Sequence, residues 1–319
     1  MKKRTWILIV CLILVVTSFF LWAPITFSIK REIIIRAPIY NVAGKLTDLR
    51  NWKQWYPALK TTDSSSFIHS RSTTQINSFL QAGDHVYTIL NSSPAYILIR
   101  DEKKNGNKEY HSLYTFPDSL GSATRVIWIK SVSPFIWLRD KFHSDENMRI
   151  GLTSLKKSLE DPSEFYGFPI AIGPVTDTIV ATKTAIANEA DKISTLHRLY
   201  SEIYQYLQKN NITAGNIRIA NFSIGSPGQL KISAGIPVTK KGPEENGIAY
   251  LQMPRGGKML VGKYEGPYSG LNKLYTAMEK YVTDKQLHKV ALQYERYLTD
   301  PSSANDSLHM RIEIFYPIY

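Results

Sequence analysis

The chain has 319 residues, 43% of them hydrophobic, with a net charge of +12 and a single cysteine. That length suits about two domains, and that apolar content excludes a largely disordered chain. The lone Cys11 excludes an intramolecular disulfide. The charge is spread thinly, +3 from Lys2, Lys3 and Arg4, +6 over residues 28–161 and +3 over residues 162–319. No stripe of lysine and arginine tracks a phosphate backbone, so no nucleic-acid partner is expected.

From Trp6 to Ala23 no residue is charged, and only Thr17 and Ser18 are polar. At a rise of 1.5 Å per residue this run would cover about 27 Å, close to a hydrocarbon core. It predicts a retained transmembrane helix, with residues 1–27 as basic end and anchor and the membrane as a partner through Trp6–Ala23. The three leading basic residues place the N-terminus in the cytoplasm and the rest of the chain in the periplasm or exterior, as a single-pass inner-membrane protein. Lys30, Arg31 and Arg36 weaken that vote. A cleaved signal peptide is the competing reading, although Leu21-Trp22-Ala23 before Pro24 is a poor cleavage site.

Residues 28–161 read as a first domain. Phe27, Ile29, Ile33 and Ile35 alternate as on a half-buried strand. Pro38 suits a first helical position, and Ile39, Val42, Ala43 and Leu46 make one helical face. Strand-like segments follow at 85–91, 95–101, 108–116 and 123–131, separated by turn residues. A closing helix would bury Met148, Leu152, Leu155 and Leu159. The order strand, short helices, antiparallel meander and long helix is that of a helix-grip fold. Ile33-Ile34-Ile35-Arg36-Ala37-Pro38 with Asn51-Trp52-Lys53-Gln54-Trp55-Tyr56-Pro57 resembles the opening of START-like proteins of the polyketide-cyclase (SRPBCC) type. The resemblance implies a cavity for an apolar ligand between sheet and terminal helix. His85, Tyr87, His111 and Tyr114 lie on strands and are candidates to line it, against the plainer reading of satisfied structural residues. Trp52 and Trp55 read as packing between short helices and sheet. The apolar run Phe135-Ile136-Trp137-Leu138 reads equally as lid, membrane-facing patch or core.

Residues 162–165 read as a linker, and residues 166–319 as one unit written twice, at about 166–240 and 247–319. Leu196-His197-Arg198-Leu199-Tyr200 matches Leu271-Asn272-Lys273-Leu274-Tyr275, and Arg218-Ile219-Ala220-Asn221-Phe222 aligns with Gln293-Tyr294-Glu295-Arg296-Tyr297. Each copy predicts strand, helix, strand, strand: 177–186, 189–209, 216–222 and 230–238, then 258–264, 268–283, 290–299 and 308–318. Ile193, Leu196, Leu199, Ile203 and Leu207 form one helical core stripe, and Leu271, Leu274, Met278 and Val282 the other. A duplicated fold makes a groove at its pseudo-two-fold axis, and only the second copy carries an acid there, Glu295.

Lys263-Tyr264-Glu265-Gly266-Pro267-Tyr268, then Leu271 and Tyr275, then Tyr294-Glu295-Arg296-Tyr297-Leu298-Thr299-Asp300-Pro301, then Ile314-Phe315-Tyr316-Pro317-Ile318 together resemble the GyrI-like effector-binding domain, found also in some transcription activators. The resemblance implies an amphipathic, often cationic aromatic ligand between the copies, with Glu295 at the position of the glutamate that meets its charge. The residues point the same way. A carboxylate among aromatic rings is costly unless a cation or hydrogen bonds offset its desolvation, and tyrosine faces attract the same cation. Glu295 with Tyr264, Tyr268, Tyr275 and Tyr297 is therefore the expected ligand site, against a surface glutamate paired across the sheet with Arg311.

No phosphate-binding glycine loop, Gly-x-Ser-x-Gly elbow or His-Glu-x-x-His pair occurs, and the seven histidines show no metal-ligand spacing. No metal or cofactor is expected. The fold class expected is α+β: a transmembrane helix, a helix-grip domain and a duplicated β-α-β-β domain. The function expected is binding of a small hydrophobic or cationic ligand. The rivals are hydrolysis of small electrophiles by Glu295 and a tyrosine, which the GyrI-like resemblance also allows, and a structural scaffold with filled pockets.

Overall fold

A computed structural model describes residues 6, 18, 27–60, 62, 67–132, 144–175, 179–226, 228–253, 257–299 and 309–319. The chain divides into two compact units, Met1–Asp161 and Pro162–Tyr319. Each is built on one large antiparallel sheet covered by helices. The expected fold class is corrected on one count: among the described residues no helix is long and apolar enough to cross a membrane. Apart from Trp6 and Ser18, the span from Trp6 to Ala23 lies outside the described residues, as do Phe135–Leu138 and Asp300-Pro301.

The strands of the first unit are β1 (Phe27–Ile35), β2 (Ile68–His69), β3 (Phe79–Ala82), β4 (His85–Ser93), β5 (Tyr96–Lys103), β6 (Lys108–Pro117) and β7 (Thr124–Val132). They form a meander in the order β1-β7-β6-β5-β4-β3-β2, so the first strand closes against the last. Three short helices follow β1: α1 (Ile39–Thr47), α2 (Trp52–Trp55) and α3 (Pro57–Lys60), and a long one, α4 (Ser144–Glu160), ends the unit. Met148, Leu152, Leu155 and Leu159 are all buried, as a spacing of four, three and four places them on one face. Trp52 and Trp55 are fully buried, 4.9 Å apart by ring centroid, and the edge of Trp55 meets Trp128 of β7 at 6.0 Å. Trp52 Nε1 donates to the Leu46 carbonyl at 2.7 Å, which satisfies the indole without water. Gly151 lets α4 lie against the sheet, because a Cβ there would stand 2.8 Å from the Trp128 ring.

The second unit begins with α5 (Pro162–Tyr166), so the stretch read as a linker is helical. Tyr166 donates to Asp284 Oδ2 at 2.9 Å. The strands are β8 (Ile170–Pro174), β9 (Ile179–Asn188), β10 (Arg218–Ile224), β11 (Gln229–Pro237), β12 (Ala249–Gln252), β13 (Lys258–Gly266), β14 (Tyr294–Tyr297) and β15 (Met310–Ile318), with α6 (Lys192–Lys209) and α7 (Leu271–Asp284) between them. The sheet order β12-β9-β11-β10-β14-β15-β13-β8 is symmetric about the β10–β14 pair. The two short strands missed by periodicity, β8 and β12, are exchanged: β8 pairs with β13 of the second copy, and β12 with β9 of the first.

The repeat holds at the level of single hydrogen bonds. Both helices end on a residue of positive φ, Asn211 and Gln286, 75 positions apart. Ile212 N bonds the Leu207 carbonyl and Leu287 N the Val282 carbonyl, each at 2.9 Å, a helix stop built on a left-handed residue. The helical stripes are buried as expected except for Ile193, which is exposed at the start of α6. A Cβ on Gly262 would meet Met278 Sδ at 2.5 Å, so glycine there lets α7 settle on β13.

Candidate functional site

The centre of the second sheet carries an acid where only apolar residues are cheap. Glu295 on β14 faces Ala220 of β10 on one side and Ile314 of β15 on the other, both fully buried, and is itself 2% exposed. Strand alternation puts Tyr297 on the same face. On the opposite face Tyr294 stacks on Phe315 at 5.0 Å, in a second small core.

Three phenols satisfy the carboxylate. Tyr275, on the buried side of α7, donates to Oε1 at 2.9 Å. Tyr268, in the 3-10 turn that leads into α7, donates to both oxygens at 3.3 Å. Tyr297 donates to Oε2 in a short bond. Burial pushes the Glu295 carboxyl above the usual carboxylate range, although the hydroxyls and the nearby Lys192 charge pull it down. Burial and the Glu295 charge push the hydroxyls of Tyr268, Tyr275 and Tyr297 up, so each remains a donor.

Tyr264 does not join this ring. Its hydroxyl donates to the Pro267 carbonyl at 2.6 Å and pins the turn that delivers Tyr268. The cross-sheet pair with Arg311 does not form either, since the residue opposite Glu295 on β15 is Ile314 and Arg311 is exposed.

Sequence reasoning missed two residues here. Phe222 lies two positions from Ala220 on the same face of β10. Lys192, the first residue of α6, places its Nζ 3.9 Å from the Phe222 ring centroid and 5.2 Å from that of Tyr268. The repeat carried a signal for Phe222, the counterpart of Tyr297, but none for Lys192, whose counterpart is Pro267.

This is a buried carboxylate between two copies of one fold, held by neutral donors. Residues 175–318 match the model of the GyrI-like small molecule binding domain. The second unit carries a GyrI-like small-molecule-binding domain. In that domain Glu295 sits on the seam between the copies. The chain is similar to the crystal structure of the EcmrR C-terminal domain, at 19% identity over 48% of this chain and 98% of that one, with a TM-score of 0.41. It is also similar to a protein from Listeria innocua, at 12% identity over 47% and 92% of the two chains with a TM-score of 0.38. A protein from Nitrosospira multiformis matches at 15% identity over 43% and 99%, with a TM-score of 0.35. No curated protein matches the sequence.

The four residues proposed to line a cavity in the first unit separate into two groups. Tyr114 is on the outer face of β6, its ring 4.7 Å from that of Tyr96, and is corrected out of the set. His85, Tyr87 and His111 share the inner face, but they are knitted into a polar network. His85 Nδ1 lies 2.7 Å from Asp101 Oδ1, and its ring stacks on Tyr87 at 5.8 Å. Glu109 is paired with Lys130 at 2.6 Å. Trp128 Nε1 donates to His111 Nδ1 at 3.2 Å. Burial, then Lys130, holds the His111 imidazole down to about 3, so it is neutral at physiological pH.

One ligand atom from each of Asp101, Glu109 and His111 lies within 4.8 Å of the others, which is metal-like spacing. The donor chemistry does not fit an ion. Both carboxylates are already paired, and the Trp128 bond forces the His111 proton onto Nε2, which then has no lone pair to give. That Nε2 is buried without a hydrogen-bond partner among the described residues.

Proposed function

We propose that the GyrI-like domain binds an amphipathic aromatic molecule carrying a positive charge, with the charge seated against Glu295. The observation that carries this reading is a carboxylate 2% exposed whose hydrogen bonds come from three neutral phenols. Hydroxyls lower the cost of burying the acid without cancelling its charge, so an arriving cation gains a strong partner in a dry site. The role of the chain is then to sense, sequester or hand over such compounds. Binding of cationic and neutral aromatic dyes to the full chain, by fluorescence, tests it. Glu295→Gln should weaken cationic dyes at least tenfold and leave neutral ones within about twofold, since each 1.4 kcal/mol is tenfold. Equal loss for both classes, or no loss for either, would overturn it.

A second reading, hydrolysis of a small electrophile, draws on the raised carboxyl of Glu295 beside the Tyr297 hydroxyl as an acid–base pair. It expects turnover of a neutral ester or epoxide that Glu295→Gln abolishes.

For the first unit we propose a START-like cavity taking an apolar molecule with one hydrogen-bond acceptor. The His111 Nε2–H, without a hydrogen-bond partner among the described residues, supports an acceptor there. Apolar ligands with and without a carbonyl should differ in affinity for the wild type and not for His111→Leu.

A further inference from the structure

We propose that Lys192 is a built-in stand-in for the ligand's cation, so that the site selects charges delocalised over aromatic rings and rejects small hydrated amines. This rests on the reading of Glu295 as a cation site and goes beyond it to the residue that sets specificity.

Four observations converge on Lys192. Its ammonium is 3.9 Å from the centroid of Phe222 and 5.2 Å from that of Tyr268, the geometry of a cation over two aromatic faces. Tyr268 in turn donates to both oxygens of Glu295. The Lys192 charge favours the ionised form of Glu295. Phe222 shares the face of β10 on which Ala220 stands opposite Glu295. The protein has therefore filled, with its own side chain, the aromatic surface on which a ligand's cation would lie.

Burial decides what must move. Glu295 is 2% exposed, whereas Lys192 and Tyr268 are half-buried. Each of these two lies at the start of a repeat helix, α6 for Lys192 and the turn into α7 for Tyr268. A cationic ligand reaches Glu295 by displacing Lys192, whose flexible stem carries the ammonium out into water.

That exchange sets the selection rule. A ligand that trades a hydrated ammonium for another hydrated ammonium gains nothing. A flat ring system with a delocalised charge loses less hydration on entry and covers Phe222 and Tyr268 more fully. Lys192 thus raises the threshold for every cation, and only large aromatic cations pass it.

The test uses the full chain as wild type, Lys192→Met, Lys192→Arg and Glu295→Gln, with a monocationic xanthene dye, its neutral analogue and a benzylammonium salt as probes. Affinities are read by fluorescence anisotropy and by competition. Lys192→Met should bind the cationic dye about tenfold tighter, which corresponds to about 1.4 kcal/mol. It should gain as much or more for benzylammonium and leave the neutral analogue within twofold. Lys192→Arg keeps a competing charge that is itself delocalised and stacks at least as well on Phe222 and Tyr268, so it should bind the cationic dye no tighter than wild type. If Lys192→Met binds the cationic dye no better while Glu295→Gln still loses it, the stand-in role is overturned and the Glu295 site stands. If Glu295→Gln binds the dye as well as wild type does, the site itself is overturned and the role of Lys192 with it.

Discussion

Ala220 and Glu295 face each other across the β10–β14 ladder, and they are also the residues that a 75-residue repeat makes equivalent. In an antiparallel pair related by a two-fold axis, equivalent residues meet only where the axis passes between them. The pseudo-two-fold axis of the second unit therefore runs between a methyl group and a carboxylate. One side of the seam has kept the small apolar residue that a buried position favours, and the other carries a charge that needs a reason.

The same pair yields a stability prediction. Ala220→Glu would place a second carboxylate directly across from the first, in a fully buried position. An unpaired buried charge costs about 3–5 kcal/mol, and repulsion adds to it. The variant should unfold at much lower denaturant than wild type. Equal stability by urea denaturation would mean that the two residues do not meet.

The titration of Glu295 carries a sign that can be checked. Its carboxyl lies above the usual value in the folded protein, so between the ordinary glutamate range and that raised value the folded state holds a proton that the unfolded state has lost. Stability contributed by Glu295 is therefore present at low pH and falls as pH rises through that window, at up to about 1.4 kcal/mol per pH unit. Glu295→Gln should lack this fall. Binding of a cationic dye should follow the opposite trend and strengthen as Glu295 ionises.

His111 gives the mirror-image case in the first unit. Its imidazole is held down to about 3, so the unfolded chain takes up a proton at ordinary histidine pH while the folded one does not. The stability it contributes is complete above the ordinary histidine value and is lost as pH falls towards 3. The slope is again up to about 1.4 kcal/mol per pH unit. Comparing thermal unfolding of wild type and His111→Leu between pH 7 and pH 4 isolates the effect, and parallel curves would refute it.

Gly151→Val sets two effects against each other. Leaving glycine for any other residue in a helix interior is worth at most about 1 kcal/mol. Against that, the new Cβ would stand 2.8 Å from the buried Trp128 ring, and overpacking of this kind costs about 1–3 kcal/mol. Valine's second branch worsens the clash, so the substitution should lower the unfolding temperature and change the fluorescence of Trp128. A neutral result would show that α4 has room to move.

Much of the second unit was legible because duplication prints each signal twice. Leu196, Leu199, Ile203 and Leu207 repeat in Leu271, Leu274, Met278 and Val282, and all eight are buried. Glu295 stands out against its counterpart Ala220 in the repeat alone. The exchanged strands β8 and β12 were not legible. At five and four residues they are too short to show alternation, and each gains its partner only from the other copy. Ile193 reads as part of the stripe but sits in the first turn of α6, beyond the sheet's cover.

The repeat, the periodicities of the longer helices and strands and the position of the odd acid can all be read along the chain, because each is a local regularity that neighbouring residues enforce. The sequence by itself did not determine which side chains meet. Strand alternation places Tyr114 and His111 on opposite faces without saying which face is covered, and it cannot tell that Tyr264 turns to Pro267 while Tyr268 turns to Glu295. It also left Lys192 unmarked among the chain's 39 lysines and arginines. Tertiary packing brings the start of α6 over a ring from a central strand and over Tyr268 in the turn before α7, and brings Tyr268 to the Glu295 carboxylate. Those contacts join residues far apart along the chain, Tyr268 to Glu295 and Lys192 to Phe222 and Tyr268, and their energy comes from shared burial, which no short stretch of sequence encodes.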